Sequence, residues 1–265
     1  MTSALHAAFG KAKSENRAAL IAYIPAGFPT VGKGIEIIEA IIAGGADIVE
    51  VGWPYSDPLM DGPTIQKAAE MALENGASAK DVIATVGKVK AAGAVPLVMS
   101  YWNPIERYGV ERFSQELAAA GGVGVITPDL TPEEGVDWIA ATDKFDVQRI
   151  FLVAPSSKDV RLEVVANAST GFIYAASLMG VTGTRESVSS HAETLVARTR
   201  KVSKLPIAVG LGVSTPMQAN DIAQYADGVI VGSAFVKAVL EAVDHAAALA
   251  AVKKLAQELK QGCVK

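Results

Sequence analysis

Cysteine is almost absent from this chain: Cys263 is the only one in 265 residues. One thiol excludes an internal disulfide framework and a thiolate metal cluster. It also makes a reduced cytoplasm the natural compartment. Histidine is nearly as scarce. His6, His191 and His245 are the full set, and all fall outside the predicted strands, which disfavours a histidine-based triad or a histidine-rich metal site. No GxxxxGK[ST] run occurs, so there is no P-loop. No stretch reaches the roughly 20 apolar residues needed to span a bilayer. Residues 1–17 contain no apolar run of signal-peptide type, so a soluble protein is expected. Basic tracts are missing too, and the net charge is −4. That argues against a nucleic-acid groove or an anionic membrane surface. Charged residues make up only 20%, against 50% hydrophobic ones, the reverse of a disordered chain.

What is present is a recurrence of short apolar runs, bounded by Gly, Pro, Asp or Ser. They predict strands at 20–26, 47–52, 96–101, 122–128, 148–154, 171–177, 206–211 and 227–231. Runs such as IVEV, IFLVA and GVIVG are nearly continuous and β-branched, as in parallel strands buried on both faces. Segments with helical spacing lie between them, among them 79–91 and 110–120. Strands alternating with helices imply a parallel sheet. The strand starts are 27, 49, 26, 26, 23, 35 and 21 residues apart. That regularity favours a closed α/β barrel of the (β/α)8 TIM type over an open doubly wound sheet. No linker interrupts it, so residues 1–265 read as one barrel domain. Leu5 and Phe9, four apart, mark an extra N-terminal helix. The C-terminal helix reads as a lysine-flanked, solvated cover. The excess length after the second and sixth strands predicts enlarged loops there, on the face where barrels keep their chemistry.

Glu50 lies inside the second run, DIVEVG. Strand alternation puts it on one face with Ile48 and Gly52, and puts Asp47, Val49 and Val51 on the other. A carboxylate inside an apolar strand is costly unless neutralised or paired. Burial would raise its pKa and equip it both to give and to take a proton. The plainer possibility is a structural glutamate paired with lysine or arginine. The loop that follows, residues 53–63 (WPYSDPLMDGP), carries Asp57 and Asp61. Both fit turn chemistry, Asp57 in an Asx turn and Asp61 near a helix N-cap. Alternatively, Asp61 faces Glu50 across the barrel mouth, and two carboxylates in different environments divide acid and base roles. Mg²⁺ held by Glu50, Asp57, Asp61 and Asp129 is conceivable, but the spacing does not select it.

Residues 180–186 (GVTGTRE) suit a lid or an ordinary turn. Residues 210–216 (GLGVSTP) and Gly232-Ser233 each follow a strand and open a helix. Their glycines let backbone N–H groups approach a ligand, and a helix N-terminus favours an anion. Barrels frequently hold phosphate on the loops after strands seven and eight. No lysine lies within a predicted strand, so a lysine Schiff base is disfavoured. That points to carboxylate acid–base catalysis on a substrate that supplies its own electron sink.

Residues 50–66 (EVGWPYSDPLMDGPTIQ) resemble the signature of the tryptophan synthase alpha-subunit family. PAGFP at 25–29, YWNP at 101–104, PDL at 128–130, GVTG at 180–183 and GS at 232–233 fall in the family's order, and the resemblance covers essentially the whole chain. It implies retro-aldol cleavage of indole-3-glycerol phosphate to indole and glyceraldehyde 3-phosphate, within tryptophan biosynthesis. Glu50 would be the general acid–base, and Asp61 would accept the indole N–H. Tyr174 would position substrate and Glu50, and Thr182 and Gly183 would belong to the lid. Backbone groups at Gly183, Gly212, Gly232 and Ser233 would hold the phosphate, with Tyr23 and Ile126 lining the indole pocket. No metal and no cofactor are implied for this chain. Its partner would be a beta subunit that carries pyridoxal phosphate (PLP), in an αββα heterotetramer. The chain departs from the family at Leu178 and Leu211, and at Trp53 and Tyr55, which are bulkier than usual. Rival readings are a free-standing indole-releasing lyase, another phosphate-binding barrel isomerase, or a non-catalytic activator.

Overall fold

The computed structural model describes residues 3–176, 185–210 and 212–265, and of 185–190 the backbone only. Among these residues the strands are β1 (Ala19–Pro25), β2 (Ile48–Gly52), β3 (Val95–Met99), β4 (Gly124–Ile126), β5 (Gln148–Ile150), β6 (Leu152–Val153), β7 (Ile173–Ala176), β8 (Ile207–Gly210) and β9 (Gly228–Val231). All pairings are parallel, in the order β5-β4-β3-β2-β1-β9-β8-β7-β6. The two ends of that order, β5 and β6, are consecutive pieces of one chain. The predicted fifth strand is therefore a single stave interrupted at Phe151, and it closes the eight-membered TIM barrel covalently. Beyond the break, the Phe151 carbonyl still accepts the Tyr174 N–H at 3.2 Å.

Side-chain alternation sorts the core into two shells. Ile21, Ile48, Leu97, Ile126, Ile150, Ala208 and Ile230 fill the inside of the barrel. Val49, Val51, Val98 and Val209 face outward to the helices. The extra N-terminal helix, α1 (Ala4–Ser14), plugs the bottom with Leu5, Phe9 and Ala12. A Cβ at Gly171 would stand 2.9 Å from Leu5, so that glycine makes room for the plug.

The helices after α1 are α2 (Val31–Ala43), α3 (Pro63–Glu74), α4 (Ala79–Ala91), α5 (Trp102–Tyr108), α6 (Val110–Ala120), α7 (Val136–Lys144), α8 (Asp159–Ala168), α9 (Arg185–Val202), α10 (Pro216–Ala223), α11 (Ser233–Leu240) and α12 (His245–Gly262). α4 begins at a Ser78/Asp81 capping box and buries Val82, Val86 and Val89. The long interval after β2 is not all loop. It holds residues 53–62 and then two helices, α3 and α4. The excess after the sixth predicted strand falls on 177–184, outside the described residues, and on the long α9.

The C-terminus is more than a solvated cover. α12 buries Ala248, Val252, Ala256, Leu259 and Gly262. Lys260 Nζ reaches both Asp47 carboxylate oxygens, at 2.7 and 2.6 Å, and Arg17 clasps the same carboxylate at 2.8 and 2.9 Å. The Asp47 carboxylate also accepts the Leu20 N–H at 2.9 Å. Both chain ends thus meet at the foot of β2. At the opposite end of β2, Trp53 packs on Tyr108 and Phe113, Phe113 stacks on Trp138, and Trp138 meets Trp102 edge-on. No helix of the described residues is long and apolar enough to cross a membrane.

Candidate active site

A cavity of about 400 Å³ opens at the C-terminal ends of the strands. Tyr23 of β1, Glu50 of β2, Ile126 of β4 and Tyr174 of β7 line it. Asp61, Gly212, Gly232 and Ser233 complete its rim. Of the residues the family resemblance assigned to the site, only Thr182 and Gly183 are not in that lining; they lie outside the described residues, as do residues 180–184 of the candidate lid at 180–186.

Glu50 is 1% exposed. Its Oε1 has no hydrogen-bond partner among the described residues. Burial alone pushes its carboxyl up to about 8. A structural glutamate would have a cation beside it; among the described residues no charged neighbour contributes to this shift. The side chain shares the inward face with Ile48, as alternation required, and its register partner on β1 is Tyr23.

Asp61 is not the cap of α3. Gly62 occupies that position, with no side-chain cap bond. The Asp61 carboxylate instead accepts a hydrogen bond from the Tyr101 hydroxyl, and partial burial, the larger effect, raises its pKa. Tyr101 is itself fixed by the Met60 N–H, which donates to its Oη at 2.9 Å. Gln66 Nε2 donates to the Asp61 carbonyl at 2.8 Å. The sequence flagged Tyr101 only within the YWNP run. Its role was invisible because the residues it joins are 40 apart in the chain.

The other two aspartates stand apart. Asp57 is exposed and accepts the Ser56 hydroxyl at 2.5 Å. Asp129 accepts the Trp102 N–H at 2.9 and 3.1 Å, at the start of α5. Of the four carboxylates considered for Mg²⁺, only Glu50 and Asp61 line the cavity. No cluster of three or more potential metal ligands forms among the described residues.

Small residues clear the mouth for the two inner tyrosines. A Cβ at Gly52 would lie 2.5 Å from Tyr23 Oη, and one at Gly210 would collide with the Tyr174 hydroxyl. Gly212 has φ +64°, a left-handed backbone that favours glycine, with open space around it. α10 follows, capped by Thr215 with Pro216 in its first turn. α11 starts at Ser233 with no side-chain cap. Its first amide groups therefore have no acceptor within the helix, which is the condition for binding an anion.

The family model described as "Tryptophan synthase alpha chain" matches residues 9–264. The chain belongs to the tryptophan synthase alpha chain family. It is 58% identical over 255 residues to the alpha chain of Thermobifida fusca, covering 95% of this chain and 94% of that one. Against the alpha chain of Streptomyces avermitilis it is 58% identical over 252 residues, covering 95% and 91%. A chain of Mycobacterium tuberculosis tryptophan synthase superposes with TM-score 0.93 at 49% identity, covering 100% of each. Tryptophan synthase subunit alpha of Legionella pneumophila gives 0.90 at 30% identity, covering 99% of each.

Within the alpha chain family, two of this sequence's departures now have a place. Trp53 seats its ring 5.3 Å from Phe113, and Tyr55 lies tilted against Tyr101 with ring centroids 5.5 Å apart. Both are satisfied by aromatic neighbours rather than pointed into the cavity. Leu178 and Leu211 lie outside the described residues.

Proposed function

We propose that this cavity binds indole-3-glycerol phosphate and that Glu50 and Asp61 split it into indole and glyceraldehyde 3-phosphate. The chain is a carbon–carbon lyase of tryptophan biosynthesis, with residues 1–265 working as one barrel domain. The observation that carries the reading is the buried Glu50 carboxyl that lines the cavity, its Oε1 without a hydrogen-bond partner among the described residues.

Glu50 begins protonated and delivers its proton to the substituted ring carbon of the indole. The ring becomes an iminium, which is the electron sink. The Asp61 carboxylate accepts the indole N–H and balances the positive charge. Glu50, now a carboxylate, takes the proton of the adjacent side-chain hydroxyl. The carbon–carbon bond breaks, its electron pair neutralises the iminium, and the hydroxyl carbon leaves as an aldehyde. The proton is back on Glu50, so the cycle closes without a metal or a cofactor in this chain. Tyr174 orients Glu50 and the substrate, while Tyr23 and Ile126 wall the ring. Backbone N–H groups at Gly212, Gly232 and Ser233 hold the phosphate; Gly183, beside Thr182 of the lid, completes the set by family resemblance.

Two opposed ionisations set the pH dependence. Glu50 must start protonated, so kcat/KM falls as pH rises through about 8. Asp61 must be ionised, and burial holds its carboxyl above the usual aspartate range, so the rate also falls on the acid side at a higher pH than an ordinary aspartate would give. A bell-shaped profile is expected. A profile flat from pH 6 to 9 would remove Glu50 from the acid role.

The product indole is passed to a PLP-dependent beta subunit in a cytoplasmic αββα heterotetramer. The solved structures of M. tuberculosis tryptophan synthase, in which a chain like this one occurs, support that partnership. Indole release from indole-3-glycerol phosphate, measured alone and with a cognate beta subunit, tests the reading. Slow release that rises steeply with the partner is expected. Fast release without it would make the protein a free-standing lyase, and none in either case would sink the assignment.

A further inference from the structure

Tyr23 does more at the barrel mouth than wall a ring. Its side chain spans the gap between two strand ends. On one side, a Cβ at Gly232 would stand 3.1 Å from Tyr23 Cδ1. On the other, a Cβ at Gly52 would stand 2.5 Å from Tyr23 Oη. The hydroxyl therefore lies on the β2 side of the ring, over the last residue before the segment that carries Asp61. The ring is 8% exposed, and Tyr23 makes no hydrogen bond to another described residue. A phenol is thus held in a tight slot with its donor unused by any described residue, beside the two carboxylates the reaction employs.

The groups facing it come from four places: Asp61 in the segment after β2, Tyr101 after β3, Glu50 on β2 and Tyr174 on β7. Burial first, then those four groups, Asp61 foremost, hold the Tyr23 phenol well above its ordinary range. It remains a neutral O–H donor at any working pH. Glu50 begins the reaction protonated. Asp61 carries the anion, and among the described residues Tyr101 is the one side chain that donates to it. An ionised carboxylate has about four acceptor positions.

We infer that the Tyr23 hydroxyl is a second positioning donor for the Asp61 carboxylate, joining Tyr101 when substrate fills the cavity. The inference rests on the proposed lyase reading. Tyr23 acts through Asp61: its hydrogen bond favours the ionised form that faces the developing positive ring. The ring of Tyr23 does the packing between Gly52 and Gly232, and the hydroxyl does the positioning, so the two roles separate by substitution.

Tyr23→Phe keeps the ring and deletes the hydroxyl. Indole release from indole-3-glycerol phosphate by the full chain with its beta subunit is expected to show KM nearly unchanged and kcat lower by about tenfold, the scale of one hydrogen bond to a charged group. The acid limb of the kcat profile should move to higher pH, because ionised Asp61 has lost a donor. Tyr101→Phe should move that limb in the same direction. Tyr23→Leu, which also empties the slot, should raise KM as well. Unchanged kcat and an unmoved acid limb in Tyr23→Phe would overturn the inference. So would a rise in KM alone, which would make the hydroxyl a substrate contact. If the unmodified protein releases no indole, the lyase reading fails and this inference falls with it.

Discussion

Glu50→Gln leaves a protein that binds the substrate and releases almost no indole. One carboxyl serves as acid at the ring carbon and as base at the hydroxyl, and an amide can do neither. Each proton transfer by a placed group is worth about 10² to 10⁴ in rate, so a fall in kcat of at least about 10³ is expected. The same substitution makes the fold more stable, with a dependence on pH whose sign is fixed. Burial pushes the carboxyl up to about 8 in the folded chain, against an ordinary glutamate value of 4.5. Its raised value means that the native state keeps full stability below about pH 4.5 and loses it progressively up to about pH 8. A neutral glutamine escapes that loss. The stability difference between Glu50→Gln and the unmodified chain should be small at pH 4.5. It should grow to the order of 4 kcal/mol by pH 8, at 1.36 kcal/mol per pKa unit. Denaturant unfolding of both proteins across that range measures it. A difference that does not change with pH would mean the carboxylate is solvated or paired, and the acid–base role would lose its physical basis.

Asp47→Ala is expected to cost about 3–5 kcal/mol of stability, the usual penalty for stranding one side of a buried ion pair. Asp47 is the hub of the barrel floor. It accepts from the Arg17 guanidinium, from Lys260 and from the Leu20 N–H. Arg17 is 6% exposed and Lys260 is 24% exposed, so removing Asp47 leaves two cations side by side with only the half-exposed Glu15 carboxylate, 2.7 Å from Arg17, to offset them. The site lies at the other end of β2, and kcat per folded molecule should stay within about twofold. Unfolding midpoints together with indole release separate the two effects. A loss below about 1 kcal/mol would show that the clasp contributes no more than a surface ion pair.

The barrel was legible because strand alternation and recurrence are local properties. Glu50 could be assigned to the inner face from DIVEVG alone, since a period of two admits only two choices and Ile48 shares its side. The ends of α4 and α6 could be read because capping and glycine signals sit within the segments themselves. Three features escaped. α5 carries Pro104 in its third position and is too short for a periodic stripe, so no local pattern marks it. The break at Phe151 lies inside an apolar run that local pattern cannot divide. The clasp on Asp47 joins residues 213 apart, and a lysine at the end of a helix looks the same whether it meets water or a carboxylate. In the site, the pairing of Tyr101 with Asp61 was hidden for the same reason. The cavity gathers residues from every stave, while the sequence shows them one at a time.

The chain contains three tryptophans, and all of them belong to the aromatic stack behind the ends of β2, β3 and β4. The protein's intrinsic emission is therefore local rather than global. Light absorbed by any indole of the chain is reported from one quarter of the barrel, next to the segment that carries Asp61, while α1, the Asp47 clasp and α12 are optically silent. The fluorophores that witness this molecule are built into the wall nearest its chemistry, so a spectral change on ligand binding speaks for that wall and not for the fold as a whole.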